Sequence, residues 1–207
     1  MGLDYSYKLY FPRPRLPEAL LGLAALCVPG KTMGEIRFPQ GLRQVPFEPF
    51  REDKAPNWDD ESYSFDLILN LEADQALEQF TRIDPQTLHA QGDRLNLGHV
   101  YFRVDNPPEN QVSQLTFIAG GNRMSWAFLD SHSLQSAFSR LLAAHGGICG
   151  ALNREEDRII FWWRGEATWE VLEDAWTLEE VERAMRRKQK QTPSPPSRRR
   201  RYRCLKK

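Results

Sequence analysis

Apolar and polar residues alternate at the start of the chain. Tyr5, Tyr7, Leu9 and Phe11 share one face of an extended segment and Asp4, Ser6, Lys8 and Tyr10 the other, a period of two that predicts a strand. Pro12 and Pro14 end it. Pro17 sits where the first turn of a helix tolerates proline, so residues 17–27 read as a helix with Leu20, Leu23, Ala24 and Cys27 inward. Short strands at residues 35–38 and 42–47 flank a turn at Gln40 and Gly41, and their prolines place them at edges. Residues 48–62, rich in Pro, Asp, Glu and Asn, read as a surface loop. Tyr63, Phe65, Leu67, Leu69 and Leu71 then alternate strictly with polar neighbours and Ile68, the clearest strand in the sequence.

A short helix at residues 74–80 follows, and then a loop to Gly98. Three further strands are expected at residues 99–104, 114–118 and 124–129, with Gly120, Gly121 and Asn122 supplying the tight turn between the last two. Asp130, Ser131 or Ser133 caps a helix running to Ala144, with Leu134, Phe138, Leu141 and Leu142 inward and Gly146 and Gly147 at its end. Residues 148–152 and 158–163 form a hairpin. Trp162 and Trp163 point to opposite faces of such a strand, so one needs a cover, and a helix at residues 170–176 is the expected one. A last helix opens on the capping box of Thr177 and Glu180 and runs into the basic residues after it.

These elements predict an α+β protein, a largely antiparallel sheet with two or three packed helices. The order strand, helix, strand, strand occurs twice, at residues 5–47 and 124–163, the pattern of a pseudo-duplicated unit. The hydrophobic fraction of 41% and aromatic fraction of 11% supply a real core. Net charge is zero, but residues 186–207 hold eleven of the 28 basic residues and none of the 28 acidic ones. The chain is therefore expected to be an acidic domain over residues 1–185 and a basic, disordered tail over 186–207. An acidic domain does not hold nucleic acid without local positive charge, whereas Arg198, Arg199, Arg200, Arg201, Tyr202 and Arg203 in the tail make a candidate polyanion-binding segment. The tail's charge equally suits the acidic domain itself.

Three cysteines, Cys27, Cys149 and Cys204, make neither a disulfide framework nor a zinc set, which points to a reducing compartment. Residues 16–28 are interrupted by Pro17 and Glu18 and are not read as a signal peptide, and no run of residues is long and apolar enough to span a membrane. Gly2 and Ser6 match a loose myristoylation pattern that the strand reading explains better.

The opening MGLDYSYKLYF, with LTFIAGGNRMSWAFLD and SAFSRLLAAHGGICGALNREED, resembles a family of uncharacterised bacterial proteins with no established activity. The resemblance spans most of residues 1–185 but not the tail. It implies a bacterial, cytoplasmic setting and assigns no site residue.

Candidate chemistry is sparse. Arg123, Ser131, His132 and Ser133 form the most suggestive group: serines at a helix N-terminus beyond a strand would favour an anion, and His132 would serve as acid or base. The plainer alternative is that the serines only cap the helix. His89, His99 and His145 have no metal spacing, no glycine-rich phosphate loop or nucleophile elbow occurs, and Cys149 lacks an arguable base. The carboxylates Glu52, Asp53, Asp59, Asp60 and Glu61 lack calcium-loop offsets. No cofactor or metal is expected. Abundant aromatics without a catalytic set point to a binding or regulatory protein, with a protein partner expected; the alternatives are a small-molecule enzyme using the helix-end group and nucleic-acid association through the tail.

Overall fold

The computed structural model describes residues 5–50, 54–83, 90–91 and 93–191. The chain divides into two compact units, Met1–Asp174 and Ala175–Lys207. In order, the first contains β1 (Ser6–Pro12), α1 (Leu16–Ala24), β2 (Cys27–Val28), β3 (Gly34–Phe38), β4 (Gly41–Val45), β5 (Phe47–Pro49) and β6 (Ser62–Glu72). It continues through α2 (Gln75–Ile83), β7 (Ala90–Gln91), β8 (Arg94–Asp105), β9 (Val112–Ile118), α3 (Asn122–Asp130) and α4 (His132–Ala144) to β10 (Cys149–Asn153), β11 (Asp157–Trp163) and β12 (Glu166–Glu173). The second unit holds α5 (Leu178–Gln191), opened by the expected capping box: the Glu180 amide donates to Thr177 Oγ1 at 3.2 Å and the Thr177 amide to Glu180 Oε2 at 2.8 Å. The basic tail residues beyond Gln191, including Arg198, Arg199, Arg200, Arg201, Tyr202 and Arg203, lie outside the described residues.

The protein is α+β. A ten-stranded antiparallel sheet runs in the order β12-β11-β10-β1-β9-β8-β6-β2, with β5 added to β6 and β7 to β8, while β3 and β4 form a separate two-stranded sheet. The first strand of the sequence is thus central, pairing with β9 on one side and β10 on the other. Its alternation explains why. Tyr5, Tyr7, Leu9 and Phe11 are buried on the face that α1, α3 and α4 cover. Tyr7 lies at the heart of that core, its ring 5.0 to 5.4 Å from Phe128, Phe138 and Phe161 and its hydroxyl donating to the Phe128 carbonyl at 2.8 Å. Burial pushes the Tyr7 phenol well above its ordinary range, and the nearby Asp74 charge adds to the shift. The opposite sheet face is more polar: Lys8, Gln114, Thr116, Arg103 and Asp105 occupy matched positions on β1, β9 and β8.

Several expectations need correction. Residues 124–129 are not a strand but most of α3. Met124, Trp126 and Phe128 alternate, which imitates a strand, yet the buried positions are Met124, Ser125, Ala127 and Phe128, a helical spacing that leaves Trp126 exposed. Gly120 and Gly121 therefore open a helix instead of turning a hairpin. Without a strand at Met124, the second strand-helix-strand-strand unit does not form, and the pseudo-duplication falls with it.

The helix expected at residues 170–176 is likewise absent. Glu166 to Glu173 form β12, joined to β11 by a two-residue turn in which Arg164 (φ 48°) and Gly165 (φ 100°) both lie in left-handed backbone, the turn that matches strand twist. That segment does not act as a helical cover for the tryptophans. Both are buried all the same, Trp162 with its indole N–H donating to the Gly147 carbonyl at 3.2 Å and Trp163 with the Arg164 guanidinium 5.3 Å above its ring. Finally, β8 begins at Arg94, before the loop expected to Gly98 would end. Gly98 and His99 are two residues set against Ile68 alone, a bulge that puts His99 at φ 58° and lets the strand continue.

Candidate functional site

Two helix N-termini lie ten residues apart, because the segment read as a strand is a helix. Ser131 joins them: its amide closes α3 by donating to the Ala127 carbonyl at 3.0 Å, and its hydroxyl caps α4 by accepting from the Leu134 amide at 3.1 Å. Ser131 is buried, Ser133 half-buried and His132 exposed. The dipole end of α4 is already occupied by an anion of the chain itself. Asp74 Oδ2 accepts from the Ser131 hydroxyl at 2.8 Å and from the Ser133 amide at 2.9 Å. Its other oxygen accepts from the Leu77 amide at 2.9 Å and so caps α2. Burial alone would raise the Asp74 carboxyl, but these backbone and hydroxyl donors outweigh it and hold it below its ordinary range.

The N-terminus of α3 is built differently. Its capping residue is Gly121, at φ 144°, a backbone state that glycine takes at little cost and other residues rarely adopt, and among the described residues no side chain caps the helix. Gly120 is required for another reason, since a Cβ there would stand 3.0 Å from the His99 carbonyl. Around this turn lies a cleft of about 340 Å³ lined by Phe80, His99, Gly120, Gly121, Asn122, Arg123 and Met124. A second cleft of about 300 Å³ lies between α2 and α3 and is lined by Ala76, Gln79, Phe80, Arg123, Trp126, Ala127 and Asp130. Arg123 and Phe80 belong to both. Trp126, 54% exposed, presents its indole to the second.

His99 borders the first cleft with its Nδ1 3.1 Å from Asp66 Oδ2. Burial raises the Asp66 carboxyl, against the opposing pull of His99. No spacing rule could have marked the pair, because the residues meet only through the register of β6 and β8 across the bulge. The residues singled out from sequence are therefore split. Arg123 lines both clefts, whereas Ser131, His132, Ser133 and Trp163 line neither.

A third cleft, about 480 Å³, is elsewhere. It lies between β3, the end of β5 and the start of β6, lined by Met33, Glu35, Phe50, Lys54, Tyr63 and Phe65 among others. Phe50 is 54% exposed and its ring lies 5.2 Å from that of Tyr101. Tyr63 donates its hydroxyl to the Trp58 carbonyl at 3.1 Å, and burial pushes that phenol well above its ordinary range. Of the acidic loop residues, Asp60 turns inward on its own loop, accepting from the Asn57 amide at 2.8 Å and side chain at 3.1 Å; Glu52 and Asp53 lie outside the described residues.

Cys27 and Cys149 are free thiols, and burial pushes the Cys27 thiol above its ordinary range. No helix among the described residues is long and apolar enough to cross a membrane. Compared with known proteins, the chain matches no family model, no curated protein and no solved structure.

Proposed function

We propose that this chain is a binding protein whose ligand site is the pair of clefts meeting at Arg123 and Phe80. The observation that supports this reading is the sharing of one guanidinium between two adjoining clefts, one of which also exposes the Trp126 indole. A guanidinium beside an aromatic face favours a small ligand that is planar and anionic. Turnover is not part of the proposal, since among the described residues no serine, threonine or cysteine lines the clefts at Arg123. The free thiols fit a reducing, cytoplasmic setting.

Anilinonaphthalene sulfonate, a planar aromatic anion, is a suitable probe, followed by its fluorescence. Saturable binding is expected. Arg123→Ala should weaken it about ten-fold or more, because hydrogen bonds to charged groups are worth roughly 1.5–3 kcal/mol. Trp126→Ala should weaken it also, and Phe50→Ala should not. Equal affinity in all three variants would refute the assignment.

A second reading has its own support. Met33, Phe50 and Tyr101 are three of the large apolar side chains left exposed; Met33 and Phe50 line the 480 Å³ cleft, and the Tyr101 ring lies beside that of Phe50. Clustered exposed apolar surface is the usual mark of a protein partner. A partner captured by the native chain and by Arg123→Ala, but lost in Phe50→Asp, would favour this reading; failure to capture any would count against it. Polyanion binding by the arginine-rich tail is independent of both. It predicts salt-sensitive nucleic-acid binding by the full chain that disappears when the chain is cut after Gln191.

A further inference from the structure

Two of the walls around Arg123 come from α2 and α3, and one carboxylate touches the supports of both. Asp74 follows directly on the sheet: the Ala73 amide donates to the Asp93 carbonyl at 2.9 Å, continuing the pairing of β6 with β8 by one residue. From that fixed point Asp74 begins α2, its side chain held by the Leu77 amide and its carbonyl accepting from the Glu78 amide at 2.9 Å. The same side chain reaches Ser131, the single residue that ends α3 and starts α4. Ser131 is extended, with ψ 111°, so the two helices change direction there and α3 does not inherit its position from α4 as a continuous rod. Besides its packing, α3 has two polar anchors near its C-terminal end: the Phe128 carbonyl held by Tyr7, and Ser131 held by Asp74.

We infer that Asp74 is a latch that sets the spacing of α2 and α3 and so governs the shape of the clefts at Arg123. This inference deepens the binding reading above and rests on it for its functional half. Helix α2 carries Ala76, Gln79 and Phe80 into the clefts, and α3 carries Arg123, Trp126 and Ala127. The two helices pack on each other. Both are tied to one side chain at the ends that define their direction, so breaking that tie frees α2 at its start and α3 at its finish together. A cap serving α2 alone would leave α3 undisturbed. Asp74 acts here as a positioning residue, since it lines neither cleft.

Amide hydrogen exchange on the full chain without ligand tests the latch, and dye titration of the same variants tests its consequence. Asp74→Asn keeps the size of the side chain and removes the charge. It should raise exchange in the first turn of α2 and, in the same variant, at the junction of α3 with α4 around Ser131. Ser131→Ala removes the hydroxyl that ties Asp74 to the α3–α4 junction and caps α4, leaves the Ser133 amide on Asp74, and should raise exchange at that junction while Leu77 stays protected. It keeps the test decisive if Asp74→Asn fails to fold. Dye affinity should fall about five-fold or more in either variant, the lower end of ordinary coupling between sites. Exchange that rises only in the first turn of α2, or affinity unchanged in Ser131→Ala despite a loosened junction, would overturn the latch. If the native chain binds no dye, the binding reading falls, while the exchange result still decides whether α2 and α3 are held together.

Discussion

The two helix N-termini on either side of Ser131 are chemically alike and structurally opposite. Each begins with backbone N–H groups that the helix itself does not satisfy, and with the positive end of a dipole. At α4 that capacity is consumed by Ser131 and the Asp74 carboxylate, so the end is part of the fold. At α3 glycine supplies only a backbone, and the first turn lines a cleft beside Arg123. Residue type at a helix start therefore does not by itself tell how that start is satisfied; at α4 the answer is a carboxylate 57 residues away in sequence.

The largest effect should come from removing that anion. Asp74→Ala takes away a cap of α2 and the charged acceptor of α4 together, and should cost about 2–4 kcal/mol in urea unfolding. If the loss were no larger than for an ordinary surface carboxylate, the contrast between the two ends would collapse.

Acid should probe the same carboxylate. Its folded value is held below the ordinary range, so its stabilisation is complete above the unfolded value near ~3.9 and is lost as pH falls through the folded value. The urea midpoint of the native chain should therefore drop more steeply than that of Asp74→Asn as pH falls below about 4.

Ser131→Ala should cost about 1–2 kcal/mol, the loss of one buried cap. Gly121→Ala sharpens the other side of the comparison. A Cβ at Gly121 meets nothing within 4 Å, so its cost is backbone strain alone, about 1 kcal/mol. Smallest of all, Arg123→Ala should change stability by less than about 0.5 kcal/mol, since the side chain is exposed. Its effect belongs to ligand binding.

What the sequence disclosed follows the same division. Strands with one buried face are written plainly in it: the alternation from Tyr63 to Leu71 gives β6, and that from Tyr5 to Phe11 gives β1, because a period of two has few competitors over that length. The capping box at Thr177 was also legible, and the α4 cap was narrowed to Asp130, Ser131 or Ser133, since both act over three residues. Short elements were not. In nine residues of α3, Met124, Trp126 and Phe128 fit a strand as well as Met124, Ala127 and Phe128 fit a helix, and only packing decides. The turn into β12 hid in Arg164, a residue that seldom takes left-handed backbone.

For the candidate site, Arg123 was singled out only as a companion of Ser131, His132 and Ser133, which line neither cleft, and its neighbours there were not legible. Phe80 reaches it from α2, and His99 meets Asp66 only through a bulge. The carboxylate that fills α4 comes from 57 residues away, beyond any local pattern.

The central claim, that ligands bind at the start of α3 and not at the start of α4, is tested most directly by amide chemical-shift mapping of the native chain titrated with anilinonaphthalene sulfonate. Shifts are predicted at Asn122, Arg123, Trp126, Gln79 and Phe80, with little change at His132 and Ser133. Perturbation centred on His132 and Ser133, with Arg123 and Trp126 silent, would contradict it.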